Sequence, residues 1–165
     1  MAELKPLSRE AIPAALEKAE RYRLLNEPAQ AESICRDILR VDAESRPALA
    51  TLLLALTDQF GRPGRAFVNE ARAVLERLGG PYESAYYQGL ICERQGTAQI
   101  RQGGPGADAV AHNWLREALT WYERAEAVRP ADNDDAILRW NACVRQLRDH
   151  GLVPRAEDEI EQPLE

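Results

Sequence analysis

The chain has few of the residues on which enzymes, metal proteins and membrane proteins depend. Its 165 residues include two histidines, three cysteines and one methionine, and aromatic residues make up 6%. The longest apolar run, Ala48 to Leu56 broken by Thr51, is far shorter than the ~20 residues that a membrane span needs. The first residues also lack the charged-then-apolar pattern of a secretory signal. We therefore expect a cytoplasmic protein without a membrane segment.

Recognisable catalytic and metal-binding patterns are lacking as well. Cys35, Cys92 and Cys143 lie on apolar helical stripes, and no CxxC or Cys/His spacing accompanies them. The two histidines, His112 and His150, fall inside one predicted helix and at the end of another, so neither suggests a catalytic triad. We predict buried, inert thiols, no catalytic residue, no metal ion and no cofactor.

Excess positive charge is also missing. The formal net charge is -6, and residues 155–165, with five acids and one arginine, contribute -4 of it. The rest of the chain is nearly neutral and has no basic stripe, whereas nucleic-acid binding depends on clustered lysine and arginine. The best local exception, Arg62, Arg65 and Arg72, is interpreted as surface charge. We expect no nucleic-acid partner.

Helical spacing, in contrast, recurs along the chain, while no segment alternates apolar and polar residues over the length of a strand. The sequence therefore predicts an all-α protein whose helices are separated by proline and glycine. Ser8 is an alternative N-cap that would start the first helix earlier. The seven predicted helices cover about 13–25, 28–41, 47–60, 63–78, 82–102 and 107–128, and a last one from the capping segment 132–134 to His150.

The most regular pattern lies between residues 117 and 130. Ala118, Tyr122 and Ala125 fall on one helical stripe, where a neighbouring helix can approach the alanines while the ring fills the gap, and Pro130 ends the helix. The equivalent small residues Ala31 and Ala66 are separated by about one hairpin repeat. The interval from Ala66 to Ala118 is much longer, and the extra length falls between residues 96 and 118. The third hairpin is therefore predicted to be elongated.

These residues resemble the tetratricopeptide repeat (TPR) family, whose helical hairpins recur about every 34 residues. The third hairpin matches best, and the second departs most, because Leu53 stands where the family has a small residue. Ala43 also replaces the proline that usually closes the first repeat. The matching residues are Tyr22, Ala31 and Ile38 in the first hairpin, and Tyr86, Tyr87, Gln88, Gly89, Gly96, Ala118, Tyr122, Ala125 and Pro130 in the third.

The resemblance implies a right-handed stack of three hairpins over residues 1–151, covered by the seventh helix as a cap. Trp140 would be the packing anchor of that cap. Residues 152–165 form a second, acidic segment, which we expect to be disordered when unbound. Packing between the repeats would rest on Tyr22, Ala31, Ala66, Gly89, Ala118, Tyr122, Ala125 and Pro130.

In the TPR family the first helices of the hairpins line a concave groove, so the resemblance implies a non-enzymatic adaptor or scaffold that binds a protein or peptide. An apolar groove with two arginines would suit a partner of some acidic character. The alternative for each residue is simple packing between helices. The predicted groove residues are Leu16, Glu20, Arg23, Leu54, Thr57, Tyr86, Leu90, Glu93 and Arg145.

Two further interpretations stay open. The chain could instead be an assembly subunit that forms a homo-oligomer through the end of the stack or the elongated third hairpin. In the acidic tail, Ile160, Pro163 and Leu164 form a short motif that would dock in a groove of the same chain, a second copy or another protein. Simple solvation is the alternative for the tail.

Overall fold

Helices are the regular structure of residues 1–152, the part of the chain that this computed structural model describes. A short 3₁₀ helix, Arg9–Ala11, precedes the first α-helix. No strand occurs within these residues, which confirms the all-α prediction. The α-helices are α1 (Ile12–Leu24), α2 (Pro28–Val41), α3 (Arg46–Thr57), α4 (Phe67–Leu78), α5 (Pro81–Gln102), α6 (Ala107–Ala127) and α7 (Asp135–Asp149).

Proline marks the beginning of the first three helices. Pro13, Pro28 and Pro47 each occupy the first or second helical position, where the missing N–H costs no intrahelical hydrogen bond. Ser45 caps α3, because its Oγ accepts a hydrogen bond from the backbone N–H of Ala48. The 3₁₀ turn after Ser8 starts the helical region earlier than Pro13, as the alternative N-cap predicted.

The predicted start of α4 at Pro63 is wrong, because the helix begins one turn later, at Phe67. The α3–α4 loop, residues 58–66, contains Gly61 and Gly64, whose φ angles of 87° and 89° interrupt a helix. Ala66, predicted to pack between repeats, is exposed and forms the N-cap of α4, because the helix starts only after it.

The helices group into two compact units, Met1–Gly80 and Pro81–Glu165, called here the N-terminal and C-terminal units. In the N-terminal unit α1 packs against α2, α2 against α3 and α3 against α4, and α1 also contacts α3. Helix α1 begins at Ile12 and α3 at Arg46, an interval that equals the TPR repeat length of about 34 residues. The interval between the starts of α2 and α4 is longer, because the α3–α4 loop is longer than the α1–α2 turn.

In the C-terminal unit α5 and α6 pack along each other, and α7 packs against α6 and touches α5. Helices α5 and α6 have 22 and 21 residues, against 12 to 14 in α1 to α4. Gly89 of α5 lies against the ring of Tyr122, and a Cβ atom there would be 2.7 Å from Tyr122 Cε1. Glycine at this position therefore leaves room for the Tyr122 ring between the two long helices.

Most residues predicted to pack between helices are buried. Trp140 also packs against the core of the C-terminal unit, as expected of an anchor. Tyr22 is half-buried, and Pro130 is exposed beyond the end of α6. The others are removed from solvent: Ala31, Gly89, Ala118, Tyr122 and Ala125.

The described part of the chain ends in a buried residue, Leu152, which belongs to the core of the C-terminal unit. The rest of the predicted tail, with Ile160, Pro163 and Leu164, lies outside the described residues. The stack of three hairpins over residues 1–151 stays a prediction.

Candidate binding surface

The predicted groove residues of the N-terminal unit lie on α1 and α3, which contact each other. Leu16 and Leu54 are half-buried, and Glu20 is exposed. These residues define what we call the α1/α3 surface. It combines two partly exposed leucines with one exposed acidic residue.

Arg23, also on α1, is already paired within this surface. Its Nε donates a hydrogen bond of 2.7 Å to Asp58 Oδ2, and the two side chains are 22% and 17% exposed. Because Asp58 neutralises the guanidinium, the pair leaves little net positive charge for an acidic partner. The expected preference for acidic peptides relied on the charge of Arg23 in this unit, and the pairing with Asp58 removes that support.

Thr57 does not face solvent as the groove prediction required. It is 3% exposed, and its Oγ1 donates a hydrogen bond of 2.8 Å to the carbonyl oxygen of Leu54, one turn earlier in α3. The hydroxyl is thus satisfied by its own helix. Thr57 packs inside the protein.

Glu93 requires the largest correction. It was predicted to line the groove, yet it is 1% exposed and accepts a hydrogen bond of 2.6 Å from the Tyr122 hydroxyl. Arg139 Nε donates a further bond of 3.0 Å to the same oxygen, and Arg139 Nη2 donates to the other oxygen of Glu93. A buried carboxylate needs such partners, so Glu93 connects α5, α6 and α7 inside the C-terminal unit.

The electrostatics of this site agree with a structural role. Burial raises the pKa of Tyr122, and the neighbouring Glu93 carboxylate raises it further. Burial alone would lower the pKa of Arg139, but the Glu93 carboxylate outweighs it and raises that pKa. Tyr122 therefore stays a hydroxyl donor and Arg139 stays a cation over the whole physiological range.

Tyr86 belongs to a row of rings at the start of α5, which we call the tyrosine cluster: Tyr82, Tyr86 and Tyr87. The Tyr82 and Tyr86 rings stack at 5.5 Å with an interplanar angle of 14°, and Tyr87 meets Tyr86 edge-on at 5.2 Å. Burial raises the pKa of Tyr86 to about 12. All three residues are half-buried.

The two other predicted groove residues of the C-terminal unit are placed differently. Leu90 is 3% exposed, so it is buried and not part of a solvent-facing groove. Arg145 is exposed on α7. Leu138, two helical turns earlier, is 63% exposed. This spacing places Leu138 and Arg145 on the same side of α7.

A buried acidic network in the N-terminal unit was not predicted from the sequence. Glu32 is 6% exposed and accepts hydrogen bonds from Arg36, Gln59 and Arg65. Burial raises the pKa of Glu32, but these hydrogen bonds outweigh it and lower the pKa to about 2. The partners in the α3–α4 loop are 27 and 33 residues away, and no helical periodicity pairs such positions.

The sequence indicates surface charge for Arg62, Arg65 and Arg72. Arg65 has a further role, because it pairs with the buried Glu32. It also donates to Glu70 at 2.5 Å and lies 4.4 Å from the centre of the Phe67 ring. The hydrogen bonds from Arg65 lower the pKa of Glu70. Arg65 fastens the α3–α4 loop to α2 and α4.

Two surface cavities of the N-terminal unit lie apart from the predicted groove residues. The larger, of about 490 Å³, lies beside the α2–α3 turn, where Arg77 Nη2 donates to the carbonyl of Ala43. The smaller, of about 220 Å³, lies on α1. Their lining residues are Ala43, Glu44, Arg46, Leu49 and Arg77 for the first, and Lys18, Arg21, Tyr22 and Leu25 for the second.

The potential metal ligands are not clustered, and the cysteine thiols are buried. Within residues 1–152, no group of three or more histidine, cysteine, aspartate or glutamate side chains is arranged to hold a metal ion. Burial raises the pKa of Cys35 to about 12 and also raises that of Cys143, so both thiols are poor nucleophiles. Over the same range, no helix combines the length and the apolar character required to cross a bilayer.

Comparison with protein-family models, with curated proteins and with solved structures finds no match to this chain. The resemblance to TPR proteins therefore depends on the residues of this chain alone. The strongest of these are the small residues and the tyrosine at the α5–α6 contact.

Proposed function

We propose that this chain is a non-enzymatic TPR-like interaction module, which binds a protein or peptide partner on the α1/α3 surface. The contact between α1 and α3 carries the proposal, because these helices begin one TPR repeat length apart and are the first helices of successive hairpins. Helices in that relationship form one continuous face. In repeat proteins such faces are the surfaces that bind partners.

The side chains of this face favour a particular kind of partner. Leu16 and Leu54 provide partly exposed apolar contacts, and Glu20 provides an unburied negative charge. Arg23 is held by Asp58 and so contributes a rigid, nearly neutral edge. We therefore expect an extended or helical peptide with apolar anchors and a basic residue opposite Glu20.

The tyrosine cluster of the C-terminal unit supports binding independently. Tyrosine supplies a large apolar area with little conformational entropy, and it is enriched where proteins meet. Tyr82, Tyr86 and Tyr87 are half-buried, and Tyr82 and Tyr86 also pack against the core of the unit. We propose this cluster as a second contact area on its own unit.

Self-association is the second candidate, favoured by one observation. Leu24 and Leu25, at the end of α1, are 88% and 63% exposed, beside the smaller cavity. Adjacent exposed leucines are typical of a surface that another chain covers. An assembly through this end of α1 would leave the α1/α3 surface open.

Site-specific photo-crosslinking in the native cell tests the proposal. A benzophenone amino acid at position 20 or 54 should give an adduct with one discrete partner. The same group at the exposed positions Ser33 of α2 and Glu76 of α4 should not. Adducts that contain only this chain would argue for self-association. Equal adducts from the control positions would argue that the chain has no defined binding surface.

The purified partner then allows an affinity measurement by calorimetry. Glu20→Arg changes an exposed side chain and should weaken binding about tenfold, because it places like charges opposite each other. Leu54→Asp should weaken binding more strongly, with helicity by circular dichroism as the check on folding. Unchanged affinity for both variants would contradict the α1/α3 surface as the binding site.

A further inference from the structure

The end of α7 turns the chain back toward the helix. The Leu152 N–H donates to the Leu147 carbonyl at 3.1 Å, and the Gly151 N–H donates to the Arg148 carbonyl at 3.2 Å. Gly151 has a φ angle of 57°. These are the two hydrogen bonds and the left-handed residue of a Schellman motif. Leu152, the last described residue, is thereby held in the core of the C-terminal unit, next to the end of α7.

Two exposed arginines on one side of α7 form no ion pair with a side chain of residues 1–152. Leu138, Arg145 and Arg148 are exposed and share one side of the helix, and we call them the α7 outer face. Neither arginine forms an ion pair within the described residues. Exposed acids flank these residues: Asp149 follows Arg145 by one turn on the same side, and Asp135 precedes Leu138 by one turn.

The composition of the segment after Leu152 complements the arginines and the leucine of the α7 outer face. Residues 157–165 contain five acidic residues, with Ile160 and Leu164 among them. The 13 residues from 153 to 165 reach about 43 Å when extended, whereas the 15 residues of α7 span about 22 Å. The segment is therefore long enough to run the whole length of α7.

We propose that residues 157–164 dock on the α7 outer face of the same chain. Their carboxylates pair with Arg145 and Arg148, and Ile160 or Leu164 covers the exposed Leu138. The contact is electrostatic in large part, so it weakens at high salt. It occupies Arg145 and so removes this residue from any partner surface. The inference does not depend on the proposed function, because it concerns a helix outside the α1/α3 surface.

Paramagnetic relaxation enhancement on the full chain tests this contact. Gln162→Cys provides one reactive thiol for a nitroxide label, because Cys35, Cys92 and Cys143 are buried. At low salt, the amide signals of residues 138, 145 and 148 should lose more than half their intensity. In 1 M NaCl most of that intensity should return.

Charge reversal tests the pairing. Arg145→Glu with Arg148→Glu should reduce the intensity loss at least threefold. The control pair Arg101→Glu and Arg116→Glu, exposed on α5 and α6, changes net charge equally and should leave the loss unchanged. Adding Glu157→Arg and Glu159→Arg to the variant with Arg145→Glu and Arg148→Glu should restore the intensity loss.

Three results would overturn the proposal. The first is full intensity of the α7 signals in the labelled wild-type chain. The second is an intensity loss confined to other helices. The third uses a mixture of isotope-labelled chain without nitroxide and nitroxide-labelled chain without isotope. If the α7 signals broaden in that mixture as strongly as within one chain, a second copy supplies the segment.

Discussion

Two buried glutamates, Glu32 in the N-terminal unit and Glu93 in the C-terminal unit, each hold together helices that are distant in the sequence. Each receives hydrogen bonds from an arginine, Arg65 at a separation of 33 residues and Arg139 at 46. A buried carboxylate is tolerated when charged donors surround it, and removing one donor leaves an uncompensated charge. These glutamates therefore constrain the packing of their units.

The lowered pKa of Glu32 predicts a loss of stability in acid. A glutamate carboxyl ordinarily has a pKa of 4.5, whereas the pKa of Glu32 in the folded protein is about 2. The folded state therefore binds this proton less readily, and the stabilisation is complete above pH 4.5 and lost as the pH falls toward 2. We expect the free energy of unfolding to decrease by about 3 kcal/mol over that interval through Glu32.

Urea unfolding at several pH values measures this contribution. Glu32→Gln should be less stable than the wild type at pH 6 and should show a smaller decrease between pH 4.5 and pH 2. Glu76→Gln changes an exposed glutamate and serves as the control. An equal acid dependence in Glu32→Gln and the wild type would contradict the assignment.

At the scale of the helices, the contact between α5 and α6 depends on two glycines of α5, which have no side chain at the contact. Gly89 faces the Tyr122 ring, and Gly96 faces Leu115, where a Cβ atom would be 3.1 Å from Leu115 Cγ. Both glycines lie within α5, although glycine disfavours a helix interior. Close approach of α6 explains why they are tolerated.

Gly89→Ala should therefore destabilise the protein despite its better helix propensity. Propensity favours alanine by about 1 kcal/mol, whereas overpacking a filled core costs about 1–3 kcal/mol. We expect a net loss of about 1 kcal/mol, measured by chemical unfolding. Gly96→Ala should cost less, because its nearest contacts are longer. A stabilised Gly89→Ala variant would show that α6 moves away without penalty.

At the scale of the whole molecule, the chain consists of two compact units, each with packed helices of its own. The boundary falls at Gly79 and Gly80, both with positive φ angles, before Pro81 starts α5. The prediction of one repeat domain over residues 1–151 did not include this division. Helical spacing continues on both sides of it, so periodicity alone gives no boundary.

This division predicts that the units fold separately. The fragments 1–80 and 81–165, expressed alone, should each give a helical circular dichroism spectrum and a cooperative thermal transition. Each unit has packed helices of its own, which is what independent folding requires. A fragment that becomes helical only when the other is added would contradict this expectation.

Local sequence signals predicted the helices and much of what they bury. Periodicity, proline at the helix starts and glycine at the ends are local signals, and they predicted the helices closely apart from the start of α4. The stripe of Ala118, Tyr122 and Ala125 was also identified as buried packing, and all three are 0% exposed. Local backbone preference and one-sided burial suffice for such features.

Which of the predicted groove side chains face solvent depends on the packing of the helices. Thr57, Leu90 and Glu93 share the helical spacing of the predicted groove, yet they are buried, while Glu20 and Arg145 stay exposed. The partners of Glu32 and Glu93 come from residues far away in the chain, and no pattern within one helix encodes them. Burial and charge pairing between distant helices are properties of the packed chain, because they arise only when those helices meet.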